Sequence, residues 1–457
     1  MTVDLDTGPA QLTASIARVA QLIAKIDELL TLQLDKILHH ARFQELESAW
    51  RGLEMLTREV PRARRTKICL LDLSWAELRK DLERSIDFDQ SGIFWLLHTT
   101  EFDMPGGEPF GVVVCNYRVS QRSQADIRAL RRLATTAEAA FCVMLFPALP
   151  ELFGMDQYSD FHPSVRLSEL FSQDEYRHWQ SLRSLPSSKF LAFVLPSVLM
   201  REPWGENGQR RGRFPYKEAC HRSDDYLWGN PCFVLAGVLL REFEETGWFS
   251  HVRGAPRDTL TGGIASGVLP QRRVDRCDEH FSVLPPEAIV VTDSMERKLS
   301  ECGFISLAHC WQTALSAFLS LPSVYKLQLE PGAEHADSER IGSQTQNVLC
   351  ASRFAHYVKV IMRDKVGSFL TAEACEEFLL EWLQEYCVGG ENLDWETRAR
   401  FPLRSAAVTV RDKPASPGYL MCDIALTPHY QYDGLVGELS LTTEFARSSR
   451  PGGAATS

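Results

Sequence analysis

The chain has 457 residues, of which 44% are hydrophobic and 24% charged, the composition of an ordinary soluble globular protein with room for two or three domains. Its formal net charge of −11 argues against a nucleic-acid partner. No apolar run approaches the roughly 20 residues that span a bilayer, and the opening residues lack the apolar centre of a secretory signal, so direct membrane insertion is not predicted.

The cysteines indicate a reducing compartment. All 12 are scattered without a CxxC pair, and most of them lie in apolar stretches, as Cys142 does between Phe141 and Val143. Buried, reduced thiols of this kind are typical of intracellular proteins. The sequence therefore predicts a cytoplasmic protein.

The N-terminal stretch predicts a long amphipathic helix. Its apolar residues are spaced alternately three and four apart, with two more widening the stripe, which is typical of a helix that packs on a partner helix. Packing on its own domain is the alternative. A second helix is predicted over 41–60. The residues of the first helix that form the seam are Leu12, Ile16, Val19, Leu22, Ile23, Ile26, Leu29 and Leu30.

The middle of the chain predicts an α/β region. Buried strands are expected at 67–73, 106–117, 141–146 and 189–196, and the helix between the second and third of these indicates a parallel crossover. Three helix starts are predicted from capping residues, and two helix ends from glycines. The starts are Ser74 with Glu77, Asn230 before Pro231, and Asp293 with Glu296; the ends are Gly247 and Gly303.

Other stretches of the middle region are assigned from composition. The stretch 201–215 is rich in Gly, Pro and Arg and is predicted to be a loop. A further strand is expected at 287–292. The polar stretch 330–346 is predicted to be a connection.

A helix over 353–369 is the best-defined element of the C-terminal part. Its apolar stripe contains Phe354, Ala355, Val358, Ile361 and Met362, and Gly367 is expected to end it. The opposite face carries a basic row of three residues, which is either a solvated face or an interface for an acidic or polar partner. The residues of this row are His356, Lys359 and Arg363.

The rest of the C-terminal part predicts one helix and a β-sheet. Thr371 is expected to cap a helix that stops at Gly389. Alternating apolar and polar residues then predict strands at 406–411, 420–427 and 435–445. The small polar tail after residue 446 is expected to be disordered.

Two pairs of side chains have the residue types of a metal site or a catalytic nucleophile with its base. Cys277 and His280 have the spacing of half a zinc site, but no second pair at matching spacing accompanies them. His309 and Cys310 are adjacent, and adjacent residues rarely face each other as a nucleophile and its base must. The sequence therefore predicts no catalytic residue, metal or cofactor, with a Cys/His enzyme or metalloprotein as the alternative.

Seven stretches in order resemble one family, the large subunit of the type VI secretion contractile sheath (TssC/VipB). They are FQELESAWRGL (43–53), FDQSGIF (88–94), GGEPFG (106–111), LPSVLMREPWG (195–205), YLWGN (226–230), PEAIVVTDSMERKLSECGFISLAHC (286–310) and RFAHYVKVIMRDKVGSF (353–369). The resemblance implies a mixed α/β, contractile tail-sheath-like fold with an N-terminal helical segment and C-terminal strands. The domains expected from it are 1–60, 61–345 and 346–447, followed by the tail 448–457.

The resemblance also implies a function in a bacterial cytoplasm. Large and small sheath subunits of this family form heterodimers, which polymerise into a helical tube around an inner tube and contract to propel it with its effectors. The expected partners are the small subunit, further copies of the chain, the inner tube protein, the baseplate and an AAA+ disassembly ATPase. A non-contractile, sheath-like scaffold is the alternative.

Site residues are expected on three surfaces. The N-terminal seam would bind the ATPase or a partner helix, and the basic row would face the inner tube. Strand exchange between subunits is expected at the C-terminal strands. Its residues are Val408, Val410, Leu420, Cys422, Ile424, Leu426, Leu435, Leu439 and Leu441.

Overall fold

The chain forms two compact units, each assembled from segments distant in sequence. A computed structural model describes residues 9–59, 66–104, 106–161, 165–205, 214–256, 259–265, 269–270, 272–274, 282–328, 336–364, 371–390, 393–412, 419–429 and 439–446. The first unit comprises Met1–Glu54, Val198–Asn230 and Leu269–Ala288, and the second comprises Met55–Ser197, Pro231–Val268 and Ile289–Ser457. This division differs from the expected domains, because two central stretches fold with the N-terminal helices. The expected tail 448–457 lies outside the described residues.

Helices and strands are mixed throughout the described chain, which confirms the predicted mixed α/β fold class. The helices are α1 (Pro9–Leu38), α2 (Ala41–Glu59), α3 (Trp75–Arg84), α4 (Gly92–Phe94), α5 (Gln124–Ala139), α6 (Leu167–Ser172), α7 (Arg177–Arg183), α8 (Cys232–Thr246), α9 (Asp293–Glu301), α10 (Ala336–Gly342), α11 (Thr345–Asp364), α12 (Ala372–Gln384) and α13 (Trp395–Arg400), and a π-helix spans Trp95–Asp103. The strands are β1 (Val112–Val114), β2 (Val143–Pro147), β3 (Leu191–Leu195), β4 (Val198–Leu199), β5 (Trp228–Gly229), β6 (Arg272–Val274), β7 (Ser282–Leu284), β8 (Phe304–His309), β9 (Ser316–Phe318), β10 (Leu403–Asp412), β11 (Tyr419–Pro428) and β12 (Leu439–Ala446).

The second unit is built on a five-stranded sheet in the order β1-β2-β3-β8-β9. Its first three pairings are parallel and the pairing of β8 with β9 is antiparallel. The parallel crossover from β1 through α5 to β2 confirms the prediction. Every residue of β2 and β3 is buried, as expected for strands covered on both faces.

The C-terminal strands form a separate antiparallel sheet in the second unit, in the order β10-β11-β12. One face of this sheet packs with α11 and α12 around a core that includes Phe354, Val358 and Leu379. The apolar stripe predicted for 353–369 is therefore buried, apart from the half-buried Ile361. The helix begins earlier than predicted, at Thr345, and the predicted stop at Gly367 lies outside the described residues.

The first unit contains α1, most of α2 and two short antiparallel ladders. One ladder pairs β4 with β5, and the other pairs β6 with β7, two strands that lie close together in the sequence. Helix α1 confirms the long N-terminal helix, and α2 matches the helix predicted over 41–60. Among the described helices, none is long and apolar enough to cross a membrane.

Two predicted strands are wrong. The stretch 67–73 forms no strand, and its Leu70 and Leu71 are 69% and 53% exposed. The stretch 287–292 makes only an isolated bridge, from Glu287 to Val198. Apolar composition alone cannot form a strand, because a strand also needs a neighbour for its main-chain groups.

Helix ends follow the sequence more closely. The capping box of Ser74 with Glu77 and the Thr371 cap are confirmed, and Gly247 ends α8 in the left-handed conformation. Two predicted starts are wrong by one residue, since Pro231 and Thr292 occupy the cap positions and make no side-chain cap bond. The predicted connection 330–346 contains α10 and the start of α11. Their polar sequences lack the apolar periodicity that predicts a helix.

Candidate assembly surfaces

The seam of α1 is exposed to solvent along its described length. Exposed fractions run from 47% at Leu30 to 61% at Ile16. A helix packed on its own domain buries such a stripe, so this exposure favours packing on a partner over the alternative of internal packing. The Leu12 side chain lies outside the described residues. The other exposed seam residues are Val19, Leu22, Ile23, Ile26 and Leu29.

The C-terminal end of α1 is anchored by polar contacts within the first unit. Tyr216 donates its hydroxyl hydrogen to Asp35 Oδ1 at 2.7 Å, and His39 Nε2 lies 3.2 Å from Glu218 Oε1. Burial and the neighbouring Asp35 carboxylate both raise the pKa of Tyr216. These polar contacts therefore fix the C-terminal end of α1 to the rest of the first unit, and the apolar stripe stays exposed.

Arg201 and Glu218 form a buried ion pair at this anchor, which the sequence did not reveal. The Arg201 guanidinium donates to both Glu218 oxygens, at 2.5 and 3.0 Å, and to Glu47 Oε1 at 2.8 Å. Burial opposes the charge on Arg201, but Glu218 and Glu47 outweigh it and raise the arginine pKa. The one available signal was an arginine directly after the apolar run 198–200, because such a residue is buried only when paired.

His39, Glu218 and Cys220 bring possible metal-ligating atoms within 4.8 Å of one another. The Glu218 carboxylate is already occupied, because it accepts both Arg201 bonds and a third from the Trp204 main-chain N–H at 2.9 Å. A cation would have to displace the guanidinium and would be repelled by it. The group therefore fits an ion-pair anchor better than a metal centre.

In the predicted outer basic row, His356 is buried and Lys359 and Arg363 are half-buried. His356 is 2% exposed, and its Nε2 donates to the Ala140 carbonyl at 3.1 Å. Lys359 is half-buried, with its Nζ 4.5 Å from the ring centroid of Phe102 and 4.9 Å from that of Phe141. The prediction of a surface row is wrong for His356, because α11 is covered on a second face as well as on its apolar stripe.

The environment of this row also changes its titration. Burial lowers the pKa of His356 to about 4 and that of Lys359 to about 8. Arg363, half-buried, donates from Nη1 to the Met104 carbonyl at 3.2 Å. These three side chains hold α11 against neighbouring segments of the second unit.

The residues predicted for strand exchange lie in one sheet. Val408 and Val410 of β10 are buried in the core of the second unit, together with Cys422, Ile424 and Leu426 of β11. Because β11 is central and pairs on both sides, its residues, Leu420 included, cannot accept another strand. Any exchange falls to the edges, β10 and β12. Leu439 and Leu441 belong to β12, and Leu435 lies outside the described residues.

The two pairs considered for chemistry gain no support. Cys277 and His280 lie outside the described residues. His309 ends β8, and Cys310 begins the turn to β9 with its N–H on the Leu315 carbonyl at 2.9 Å. Both have ordinary places at the end of a β-strand.

A buried acid that the sequence did not reveal lies on α8. Glu242 is fully buried, and burial raises its pKa to about 8. Its Oε2 is 3.9 Å from Nδ1 of His251, whose pKa burial lowers. Both groups are therefore largely neutral near pH 7, so this pair does not act as a salt bridge.

Comparison with known proteins covers nearly the whole chain. The family model described as EvpB/VC_A0108, tail sheath N-terminal domain, matches residues 20–325, and the model described as EvpB/VC_A0108, tail sheath gpW/gp25-like domain, matches residues 334–445. The type VI secretion system sheath protein TssC1 of Pseudomonas aeruginosa is 32% identical over 435 residues, which cover 94% of this chain and 86% of that protein. The chain therefore belongs to the tail sheath family, among the large subunits of the type VI secretion sheath.

Proposed function

We propose that the chain forms heterodimers with a small sheath subunit, and that these polymerise into a helical tube around an inner tube. Contraction of this sheath would drive the inner tube and its effectors forward from a baseplate. Family membership already implies a structural protein that assembles with a partner sheath subunit and with copies of itself. The proposal adds the architecture and the movement.

The observation that carries this proposal is the exposed seam of α1. A monomeric protein rarely leaves a continuous apolar stripe in water, and such a stripe marks an interaction surface. The polar anchor at the end of the helix holds the stripe in place without covering it. A subunit made for assembly accounts for this arrangement.

We infer that α1 is the binding site for an AAA+ disassembly ATPase. The helix is long, and its exposed stripe matches the helix-in-groove mode of recognition, in which apolar residues three and four apart enter a groove. A binding site of this kind can be covered in one sheath state and open in the other.

The edges β10 and β12 would link neighbouring subunits by strand addition. Main-chain hydrogen bonds across such an edge hold two chains together while their bodies rotate, since they do not depend on particular side chains. Asp423 on β11 accepts a hydrogen bond from Thr442 on β12 at 2.8 Å, a contact that keeps β12 in register within its own sheet.

Co-expression with the small sheath subunit, followed by negative-stain electron microscopy, tests the proposal. We expect hollow tubes. Well-folded, discrete particles containing both chains would contradict a contractile sheath and point to a static scaffold. A metal assay and thiol labelling of the native protein would detect an enzyme or metalloprotein that uses its Cys and His residues.

A further inference from the structure

The sequence of 67–73 predicts a β-strand, but no described strand pairs with this stretch in the structure. The stretch is neither helix, strand nor turn, and it carries consecutive apolar residues, of which Cys69, Leu70 and Leu71 are exposed. Within the described chain, no main-chain N–H of this stretch donates to another main-chain group. Leu70 and Leu71 are successive residues and are 69% and 53% exposed, so the stretch is open on more than one side.

Contacts at both ends place this stretch beside β1. Lys67 pairs with Glu108, just before β1, and the Leu73 carbonyl accepts a hydrogen bond from the Tyr117 hydroxyl, just after it, at 2.8 Å. The stretch therefore runs in the same direction as β1. Thr66 is tied to Glu244 of α8 by a further bond of 2.7 Å, which fixes where the stretch begins.

Strand β1 is itself the end of its sheet. It pairs with β2, and the strand order places no other described strand on its far side. Its residues Val112, Val113 and Val114 are all half-buried, whereas every residue of β2 is buried. A half-buried valine strand at an edge, next to a segment without main-chain to main-chain hydrogen bonds among the described residues, presents main-chain donors and acceptors to an incoming strand.

We propose that the stretch 67–73, together with the free edge of β1, receives a β-strand from the partner sheath subunit. This inference rests on the proposed function and names the surface by which the two subunits join. The incoming strand would pair with main-chain groups that have no main-chain partner among the described residues, and the partner's fold would cover the exposed apolar side chains. The surface is completed on assembly, and this explains a strand-like sequence without a strand.

The apolar character of the surface favours the partner subunit over a second copy of this chain. Ile68, Cys69, Leu70 and Leu71 carry no charge, as in permanent interfaces, which are more hydrophobic than transient ones. In a contracting lattice, contacts between repeated copies must rearrange, whereas the two chains of one heterodimer stay together. An apolar run of four residues, lying between the exposed charged residues Lys67 and Asp72, therefore fits the permanent contact.

Cys69 offers a direct readout, because it is the exposed thiol among the described cysteines. The chain alone and the purified complex are treated with a maleimide, and the modified peptides are mapped by mass spectrometry. We expect rapid modification of Cys69 in the chain alone and at least tenfold slower modification in the complex. Hydrogen exchange of 67–73 should slow in parallel, and a Cys69→Ser variant confirms the assignment.

Substitutions separate this surface from general effects of surface charge. Leu70→Asp and Leu71→Asp should each weaken heterodimer formation at least tenfold. Ile86→Asp is the matched control, since Ile86 is an apolar residue of the same unit that is 81% exposed, and it should leave binding unchanged. Circular dichroism of each variant alone verifies the fold, because none of these side chains is buried.

The outcomes distinguish this inference from the proposed function. A complex that forms while Cys69 stays reactive and 67–73 exchanges rapidly overturns the inference and leaves the sheath function intact. Failure of the unmodified chains to form any complex overturns the proposed function. Protection of Cys69 that grows with the concentration of this chain alone identifies a second copy as the occupant, and it also overturns the inference.

Discussion

Buried charged residues show how far single side chains depend on neighbours distant in sequence. Arg201 reaches Glu218 and Glu47, and His356 reaches the carbonyl of Ala140. None of these pairs has a spacing that periodicity could detect. Sequence patterns predicted a loop position for Arg201 and a surface position for His356. In the structure both side chains are buried and hold helices in place.

Breaking the Arg201 pair should destabilise the protein strongly. Glu218→Ala leaves a buried guanidinium with Glu47 as its remaining carboxylate, a loss on the order of 3 kcal/mol for a buried ion pair. Thermal unfolding followed by circular dichroism measures the change. Glu169→Ala is the control, since its pair with Arg166 is exposed and should shift Tm little. Equal shifts for the two variants would contradict a structural role for the anchor.

Glu242 should make stability depend on pH. Its pKa is raised from 4.5 to about 8, so the folded chain keeps a proton that the unfolded chain releases. The stability is fully present below about pH 4.5 and is lost as pH rises through about 8, by up to about 1.4 kcal/mol per pH unit. Denaturant unfolding of the protein and of Glu242→Gln between pH 5 and 8 measures this. The variant should lose less stability over this range, and identical slopes would refute the assignment.

At the scale of elements, the strongest periodic signals were reliable. The apolar seam of α1 and the apolar stripe of α11 were both expected from helical spacing, and both helices form. Spacing did not show which side of α11 faces water, because a helix covered on two faces carries polar residues at one of its contacts. The inward position of Lys359 between two aromatic rings is a property of packing.

Acidic substitutions on α1 should leave tube assembly intact and block disassembly of the tubes by the ATPase. Ile23 and Ile26 are 54% and 55% exposed, so changing both to Asp costs little folding energy but places two carboxylates on the apolar stripe. We expect tubes to form normally and to resist disassembly by the AAA+ ATPase, as followed by light scattering.

Lys25→Asp is the control for this experiment, because Lys25 lies off the stripe on the same helix. It should leave disassembly unchanged. Loss of the heterodimer in the double variant would show that the seam binds the small subunit instead of the ATPase.

At the scale of the whole molecule, the edges of the C-terminal sheet should decide whether heterodimers become tubes. Truncation after Gln431 removes β12 and leaves β11 as the new edge. We expect heterodimers, detected by size-exclusion chromatography, but no tubes in the electron microscope. Truncation after Ala446 is the control and should form tubes. Tubes from the shorter protein would refute strand exchange at this edge.

The sequence by itself determined the local elements and the family. Periodicity placed α1 and α11, a capping residue placed α12, alternation placed the C-terminal strands, and ordered motifs indicated a sheath large subunit, because these signals depend on residues near one another in the chain. Only the tertiary structure decided the two-unit division, the Arg201 anchor, the burial of His356 on α11 and the open stretch 67–73. Each of these depends on which distant residues meet, and a strand-like sequence remains unpaired when the fold supplies no neighbouring strand.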